Sequence, residues 1–264
     1  MAETQIRFED GRAYEQYMGN WSRRVGAVFI DWLALPSGLN WIDVGCGNGA
    51  FTELIVERCA PNEVRGIDPS EAQLDFARQR SAARLAKFDH GDAMALPFPA
   101  DTFDVAIMAL VIFFVPDPAK GVAEMTRVAR PGGAVAAYAW DILGGGFTLE
   151  PLRIELREMG LKPVDPPTVE ASRIEAMRDL WTGAGLEAVE TREITVERTF
   201  SNFEEFWQIT ILGAPSLRPT MTAMSPTDTE LFKTRVRARL PSDAAGRITY
   251  ESRANAVKGR IPAK

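Results

Sequence analysis

Apolar positions in the first half of the chain form short continuous runs, separated by stretches with helical spacing. A short apolar run bounded by glycine, proline or aspartate is typical of a strand covered on both faces, whereas apolar residues three or four positions apart are typical of a helix. Helices are predicted at Phe51–Cys59, after the cap residue Ser70 and after Pro116-Asp117-Pro118. The alternation of strands and helices indicates an α/β fold with a mostly parallel sheet. The strands are predicted at Asn40–Val44, Val64–Ile67, Ala86–Phe88, Phe103–Phe114 and, after an Arg130–Gly133 turn, Ala134–Trp140.

The second half continues the pattern and adds a long insertion. The glycines Gly144–Gly146 predict a flexible exit from the fifth strand. Residues 201–246 carry helical patterns around Phe203–Leu212 and Ser225–Leu240. A connection this long is normally functional. We therefore expect it to form a helical lid on the side of the sheet where the substrate that accepts the transferred group binds. The flanking elements are predicted as helices at Leu149–Met159 and Ala171–Thr182 and as strands at Leu186–Phe200 and Ile248–Val257.

Composition and charge narrow the class of protein. The 264 residues, 46% hydrophobic and 25% charged, fit a single domain, with an N-terminal helical cap at 1–35, a core at 36–141 and the lid as an insertion. A net charge of −6 argues against nucleic acid as a partner. Two cysteines favour a reducing, cytoplasmic location, and no run approaches the roughly 20 apolar residues that span a membrane. We expect a small molecule as the partner. The sequence is also compatible with a homodimer.

The most specific motif is the loop Asp43-Val44-Gly45-Cys46-Gly47-Asn48-Gly49-Ala50 at the end of the first strand. Glycines let the backbone turn tightly and let a ligand approach it. Gly45, Gly47 and Ala50 also satisfy a dinucleotide fingerprint, so an NAD-dependent oxidoreductase is a competing interpretation. Asp43 favours S-adenosylmethionine, because a carboxylate at this loop repels a pyrophosphate and attracts a sulfonium and an ammonium group. The purely structural alternative for Asp43 is capping of the loop or helix.

Two further aspartates follow the second and third strands. Asp68 can accept hydrogen bonds from both ribose hydroxyls of a nucleotide, although capping of the helix after Pro69 is a structural alternative. Asp92 can accept from an adenine amino group while the amide of Ala93 donates to the ring, although a Gly-Asp pair is also a common turn. Ligands of open α/β sheets bind outside the carboxyl ends of the strands, where these residues are predicted.

These motifs carry a resemblance to a known family. The chain resembles class I S-adenosylmethionine-dependent methyltransferases, most of all the small-molecule branch that includes the quinone-biosynthesis enzymes. The resemblance covers about residues 10–140 well and the rest only by strand order. It implies a Rossmann-like seven-stranded sheet with an antiparallel last strand. The motifs are the glycine loop, Ile67-Asp68, Gly91-Asp92-Ala93 with Leu96-Pro97-Phe98, Phe103-Asp104 and Arg130-Pro131-Gly132-Gly133.

The resemblance also implies which residues hold S-adenosylmethionine. Asp43 and the glycines would hold the methionine end, Asp68 the ribose, and Asp92 with Ala93 the adenine. The full cofactor-binding set predicted in the core is Asp43, Gly45, Cys46, Gly47, Gly49, Asp68, Pro69, Asp92, Ala93 and Leu110.

The N-terminal segment supplies a second group of candidates. It resembles the leading helix that closes over the donor in such enzymes. Tyr14, Tyr17 and Trp21 offer aromatic surfaces for a sulfonium or an acceptor, and Arg24 can meet a methionine carboxylate. The alternative to a helix that closes over the donor is an amphipathic helix that only packs against the edge of the sheet.

The expected chemistry is an in-line displacement, in which alignment and exclusion of water supply much of the rate. The catalytic residues are therefore left unassigned. His90, beside the adenine motif, is a weak candidate base, and Cys46 has no positioned base to make it a nucleophile. No metal site is predicted, because Asp117 and Asp141 have no other candidate metal ligands near them in the sequence. Asp117 is better explained as a helix cap.

The acceptor is less well defined by the sequence. No Asn-Pro-Pro or Asp-Pro-Pro motif follows the fourth strand, which disfavours methylation of adenine in nucleic acid or of glutamine in protein. Phe113, Trp140, Phe147 and Trp207 are candidates for an apolar acceptor pocket or for the core. A non-catalytic module that binds S-adenosylmethionine remains a third interpretation, beside the methyltransferase and the oxidoreductase. A run of basic residues in the lid is predicted as a solvated face: Lys233, Arg235, Arg237 and Arg239.

Overall fold

The computed structural model describes residues 15–80 and 84–263, and it contains one seven-stranded sheet. A single π-helical turn at Glu15–Gly19 precedes the first long helix. The strands are β1 (Asn40–Val44), β2 (Glu63–Asp68), β3 (Ala86–His90), β4 (Phe103–Ala109), β5 (Ala129–Trp140), β6 (Glu187–Phe200) and β7 (Ile248–Arg260). The helices are α1 (Asn20–Leu33), α2 (Ala50–Cys59), α3 (Glu71–Ala77), α4 (Pro118–Val128), α5 (Glu150–Glu158), α6 (Ile174–Gly183), α7 (Phe203–Gly213), α8 (Arg218–Ala223) and α9 (Pro226–Arg239).

The strand order is β3-β2-β1-β4-β5-β7-β6. The first five strands are parallel, with Asp43 of β1 opposite Gly66 of β2 and Ile107 of β4. Strand β7 is antiparallel to both β5 and β6. The predicted α/β sheet with an antiparallel last strand is therefore confirmed, and the strand order reverses between β1 and β4.

The central strands are apolar on both sides, as expected for a sheet that is covered on both faces. Six of the seven residues of β4 are apolar, and every residue of it from Val105 to Met108 is buried. Aromatic rings join the first helix to this core: Phe29 of α1 lies 4.8 Å from Tyr138 of β5 and 6.2 Å from Phe51 of α2, between ring centroids. Within the described residues, no helix has the length and apolarity needed to cross a membrane.

Several predicted boundaries were wrong. Strand β4 ends at Ala109 and not at Phe114, because Leu110 adopts a left-handed conformation (φ +61°) and a 3-10 turn follows at Ile112–Phe114. A buried turn and a buried strand are equally apolar, so periodicity could not separate them. Likewise, helix α6 begins at Ile174, after a 3-10 turn at Val169–Ser172.

The turn predicted at Arg130–Gly133 belongs to strand β5 instead. Strand β5 starts at Ala129, and its register with β4 shifts between Phe103 and Val105. Residues 130–133 are therefore the extra residues of an irregularity in the ladder, and not a turn before a new strand.

Two local predictions on polar contacts also differ from the structure. Ser70 stands at the start of α3, yet its side chain makes no cap hydrogen bond. The glycines Gly144–Gly146 do not form a free exit. The amide of Gly144 donates to Oδ1 of Asp141, and Gly146 exchanges backbone hydrogen bonds with Asp141 and Arg253.

The insertion at 201–246 is helical, as predicted, and contains α7, α8 and α9 between β6 and β7. The predicted start of α9 is confirmed, because Oγ of Ser225 accepts from the amide of Asp228 at 3.1 Å. The basic residues of α9 are ion-paired and not merely solvated: Arg235 and Arg239 both contact Glu155 and Glu158 of α5, and Lys233 and Arg237 both contact Glu204 of α7.

Candidate active site

The carboxyl ends of β1 to β4 meet at one edge of the sheet and bring the predicted residues together. Asp43 lies near the end of β1, Asp68 ends β2, and Leu110 follows β4. The amides of Gly45 and Cys46 both donate to the carbonyl of Ile67, at 2.7 and 2.9 Å, which fixes the glycine loop against β2. The edge is the one at which open α/β sheets bind ligands, beside the reversal of strand order.

Two glycines of the loop are needed for different reasons. Both have positive φ, +76° at Gly45 and +52° at Gly47, where side chains are disfavoured. A Cβ at Gly45 would lie 2.5 Å from Cγ1 of Val111, so Gly45 permits close packing. At Gly47 no atom lies within 4 Å of the position of a Cβ, so that side of the backbone faces open space. Gly47 therefore leaves room for a ligand.

Asp43 is fully buried beneath the loop. Its Oδ2 accepts a hydrogen bond from the hydroxyl of Thr52 at 2.6 Å, while its Oδ1 has no partner among the described residues. Burial raises the pKa of Asp43 to about 7, with a hydrogen bond from Thr52 that lowers it and the charge of Asp68 that raises it further. An incompletely satisfied carboxyl in the interior is costly, and a cationic ligand near it would offset part of that cost.

Asp68 links the loop to helix α3. Its Oδ2 accepts from the amide of Gly47 at 2.9 Å and its Oδ1 from the amide of Ser70 at 2.8 Å. Burial raises the pKa of Asp68, and the two backbone hydrogen bonds oppose that rise. Each carboxylate oxygen can accept a second hydrogen bond, so the capping role and the predicted ribose role are compatible. Pro69, next to it, is exposed.

The third aspartate lies at the rim of the site. Asp92 is exposed, and its Oδ1 accepts from the amide of Met94 at 2.8 Å, as in a turn. Ala93 is half-buried beside it, and His90 is exposed at the end of β3. These positions are compatible with both the turn and the adenine contact, and the adenine contact stays a prediction.

Cys46 is buried within the loop, where burial and the charge of Asp43 raise the pKa of its thiol well above the ordinary range. A protonated thiol is a poor nucleophile. Its place in the loop therefore favours packing against the donor over nucleophilic catalysis.

The N-terminal candidates separate into different environments. The hydroxyl of Tyr17 donates to Oγ1 of Thr148 at 2.8 Å, and Tyr17 is buried. The ring of Trp21 packs against Tyr250 and Trp140, with centroids 5.2 and 6.3 Å apart, and is fully buried in the core. Arg24 is exposed, and Tyr14 lies outside the described residues.

A polar cluster that the sequence did not predict joins the N-terminal turn to the glycine loop. The side chain of Asn48 donates to Glu15 at 2.9 Å, and Nε of Arg80 donates to the carbonyl of Asn48 at 2.6 Å. Arg80 also forms ion pairs with Glu15 and Glu53. These residues are far apart in sequence and show no motif, so only the fold reveals the cluster.

An apolar cavity opens beside the ends of β4 and β5. The enclosed part of this cavity has a volume of about 50 Å³. Three of the four aromatic residues predicted for an acceptor pocket, Phe113, Trp140 and Phe147, line the cavity, whereas Trp207 packs against Phe203 and Phe232 inside the insertion at 201–246. The other lining residues are Tyr17, Met18, Leu110, Phe114, Ile142, Leu149, Val164, Pro166, Gly213, Ala214 and Ser216.

Charged groups are absent from the described wall of this cavity, since none of its lining residues is Asp, Glu, Lys, Arg or His. Across the described ranges there is also no group of three His, Cys, Asp or Glu residues placed to hold a metal ion. The arrangement therefore combines an acidic, glycine-lined edge with an uncharged cavity, and Leu110 lines that cavity one residue beyond β4.

Comparison with known proteins shows what part of the chain is similar to. Residues 42–137 match a family described as a methyltransferase domain. The chain is 44% identical over 95 residues to a chloroplastic 2-methyl-6-phytyl-1,4-hydroquinone methyltransferase 2 of Oryza sativa subsp. japonica, covering 36% of this chain and 27% of that protein. It is 36% identical over 117 residues to a demethylmenaquinone methyltransferase of Staphylococcus aureus, covering 44% of this chain and 47% of that protein. The chain thus spans half or less of the length of these curated relatives.

The whole fold also resembles that of a solved structure. The YcgJ protein of Bacillus subtilis superposes with a TM-score of 0.61 over 93% of this chain and 100% of its own, at 18% sequence identity. At that identity the likeness concerns the fold alone. The domain match bears out the predicted resemblance of residues 42–137 to methyltransferases, and the superposition bears out the predicted fold.

Proposed function

We propose that the chain is a class I S-adenosylmethionine-dependent methyltransferase and that it transfers a methyl group to an uncharged small molecule. The observation that carries the proposal is the cradle at the sheet edge. Asp43, near the end of β1, is buried and partly unsatisfied, and Gly47 in the loop that follows has open space on one side of its backbone. Asp68 joins the loop to β2.

The residues of the cradle fit S-adenosylmethionine. The unpartnered Oδ1 of Asp43 is a site of negative potential, which suits the ammonium and sulfonium groups of the methionine end and disfavours a pyrophosphate. The free lone pairs of Asp68 suit two ribose hydroxyls. This charge pattern also argues against the competing NAD interpretation.

When bound, the donor supplies an electrophilic methyl group on a cationic sulfur that leaves as a neutral thioether. The chain itself holds the donor and excludes water. Leu110 and Trp140 form apolar walls at the strand ends, and the cap contributes Tyr17 and Met18. Orientation of two reactants in a dry cavity supplies rate acceleration without a covalent enzyme intermediate. No general base is assigned to a residue of the cavity wall.

The cavity wall supports this acceptor class, and the names of the relatives are in agreement with it. An uncharged wall lets a neutral molecule bury its surface, whereas an ammonium or phosphate group would lose its hydration without gaining a partner. The two curated relatives are named for methylating a hydroquinone and a demethylmenaquinone. Those names support a small ring compound as the acceptor.

Location and assembly belong to the same proposal. Both cysteines are free thiols, Cys46 buried and Cys59 half-buried, which is compatible with a reducing cytoplasm. A homodimer stays a prediction.

A transfer assay tests the function. The full chain is incubated with methyl-labelled S-adenosylmethionine and a panel of hydroxylated naphthalenes, hydroquinones and primary amines, with the Asp68→Ala variant as the matched control. We expect label in the neutral ring compounds and a much lower rate in the variant. Binding of the donor without transfer to any acceptor would instead favour the non-catalytic module.

A further inference from the structure

The cavity wall is built from three separate parts of the chain. The N-terminal turn contributes Tyr17 and Met18, and the ends of β4 and β5 contribute residues such as Leu110 and Trp140. The third part is the end of α7 with the turn that follows it, which contributes Gly213, Ala214 and Ser216. The lid therefore forms part of the wall itself.

The lid residues that reach the cavity are small, in contrast to the rest of the lid. Further back on α7, Phe203, Phe206 and Trp207 pack against one another and fill the space between the lid and β6. At Ala214 the lid is equally well buried, with 2% of the residue exposed, yet the side chain is a single methyl group. The empty volume of the cavity thus depends on small residues at this point.

Ion pairs and burial fix the position of the lid, so the part of the cavity wall that it forms has a defined position. Arg235 and Arg239 of α9 both bind the carboxylate of Glu155, which is buried on α5, at 2.6 Å each. Leu217, next to the cavity-lining turn, is 3% exposed. A pair of arginines on one buried carboxylate fixes orientation as well as distance. The position of the small residues relative to the strand ends is therefore set by the fold.

We infer that Ala214 is a specificity-determining residue, whose single methyl group leaves the room that a neutral acceptor occupies at this part of the cavity. This inference rests on the proposed function. Ala214 lines the cavity and is itself 2% exposed, so a larger side chain at this position has to extend into the cavity or displace the residues around it.

Binding of defined probes tests the inference on the full chain with S-adenosylhomocysteine present. The probes are 1-naphthol, which is neutral and bicyclic, and naphthalene-1-sulfonate, which has the same rings and a charge. In the wild type we expect the sulfonate to bind at least tenfold more weakly than 1-naphthol. In Ala214→Phe we expect 1-naphthol to bind at least tenfold more weakly, with the affinity for S-adenosylhomocysteine changed less than twofold.

Two further variants keep the test decisive. Leu212→Phe enlarges a side chain on the same helix at a position that is 62% exposed, and it should leave both affinities unchanged. Ala214→Val is a smaller enlargement and should weaken 1-naphthol about threefold, which gives a result even where Ala214→Phe does not fold. Wild-type affinity for 1-naphthol in a folded Ala214 variant would overturn the inference. Failure of the wild type to bind S-adenosylhomocysteine would instead refute the proposed function, while 1-naphthol binding would still report on the cavity.

Discussion

Asp43→Asn should stabilise the free protein and weaken its binding of the donor. The wild-type carboxyl is fully buried, with a pKa raised to about 7 from an ordinary value of 3.8 and one oxygen without a partner. Between about pH 4 and pH 7 the folded protein keeps a proton that the unfolded chain has released, so the free energy of unfolding falls as the pH rises through that window. An amide at this position has no such pH dependence.

The magnitude follows from the same values. Each pH unit in the window costs about 1.4 kcal/mol, so the wild type loses about 3 kcal/mol between pH 5 and pH 7 through Asp43. For a chain of this length that corresponds to roughly 5–10 °C in Tm. We therefore expect Asp43→Asn to match the wild type at pH 5 and to exceed it by about 3 kcal/mol at pH 8. Other titrating groups are shared by the two proteins and cancel in the comparison.

Denaturant unfolding at pH 5 and pH 8 measures this difference, and calorimetry at pH 8 gives the affinity for S-adenosylmethionine. The variant should lose affinity because it lacks the negative charge opposite the cationic donor. Equal stability differences at the two pH values would refute the assignment of a neutral, buried Asp43. Unchanged donor affinity would refute its electrostatic role.

Three further variants test other parts of the site. Asp68→Ala should weaken the donor by about 1.5–3 kcal/mol in calorimetry, the usual loss for hydrogen bonds to a charged group, and unchanged affinity in a folded variant would leave Asp68 as a cap alone. Gly47→Ala should reduce donor affinity at least tenfold, because the added methyl enters the open side of the loop, whereas Gly38→Ala, at a φ of +77° with similar open space at the other end of β1, should not. Trp207→Ala should impair acceptor turnover much more than donor binding, since Trp207 supports the lid, and equal loss of both would contradict a lid that serves the acceptor.

Much of the cofactor edge could be predicted from sequence because its signals are local. Asp43 and Asp68 stand directly at the ends of short apolar runs, and the glycines between them have few roles other than a tight loop. The boundary errors arose where one pattern fits two structures. Leu110 and the residues after it are as apolar as a strand, and only the left-handed conformation of Leu110 shows that the strand has ended.

The rest of the site depends on contacts that no sequence spacing records. Glu15, Asn48 and Arg80 meet only because the N-terminal turn folds over the glycine loop. The acidic partners of Arg235 and Arg239 lie about 80 residues away on α5, so a helix that looked solvated is in fact ion-paired. Trp207 and Phe147 were indistinguishable as aromatic candidates, yet one lies inside the lid and the other lines the cavity.

Calorimetric titration of the full chain with S-adenosylmethionine, S-adenosylhomocysteine and NAD tests the central claim most directly. A buried acidic group below a glycine loop should accept the methionine end of the first two ligands and repel the pyrophosphate of the third. We predict saturable binding of S-adenosylmethionine and S-adenosylhomocysteine, and no measurable binding of NAD at the same concentrations. Binding of NAD with an affinity comparable to that of S-adenosylmethionine would contradict the account.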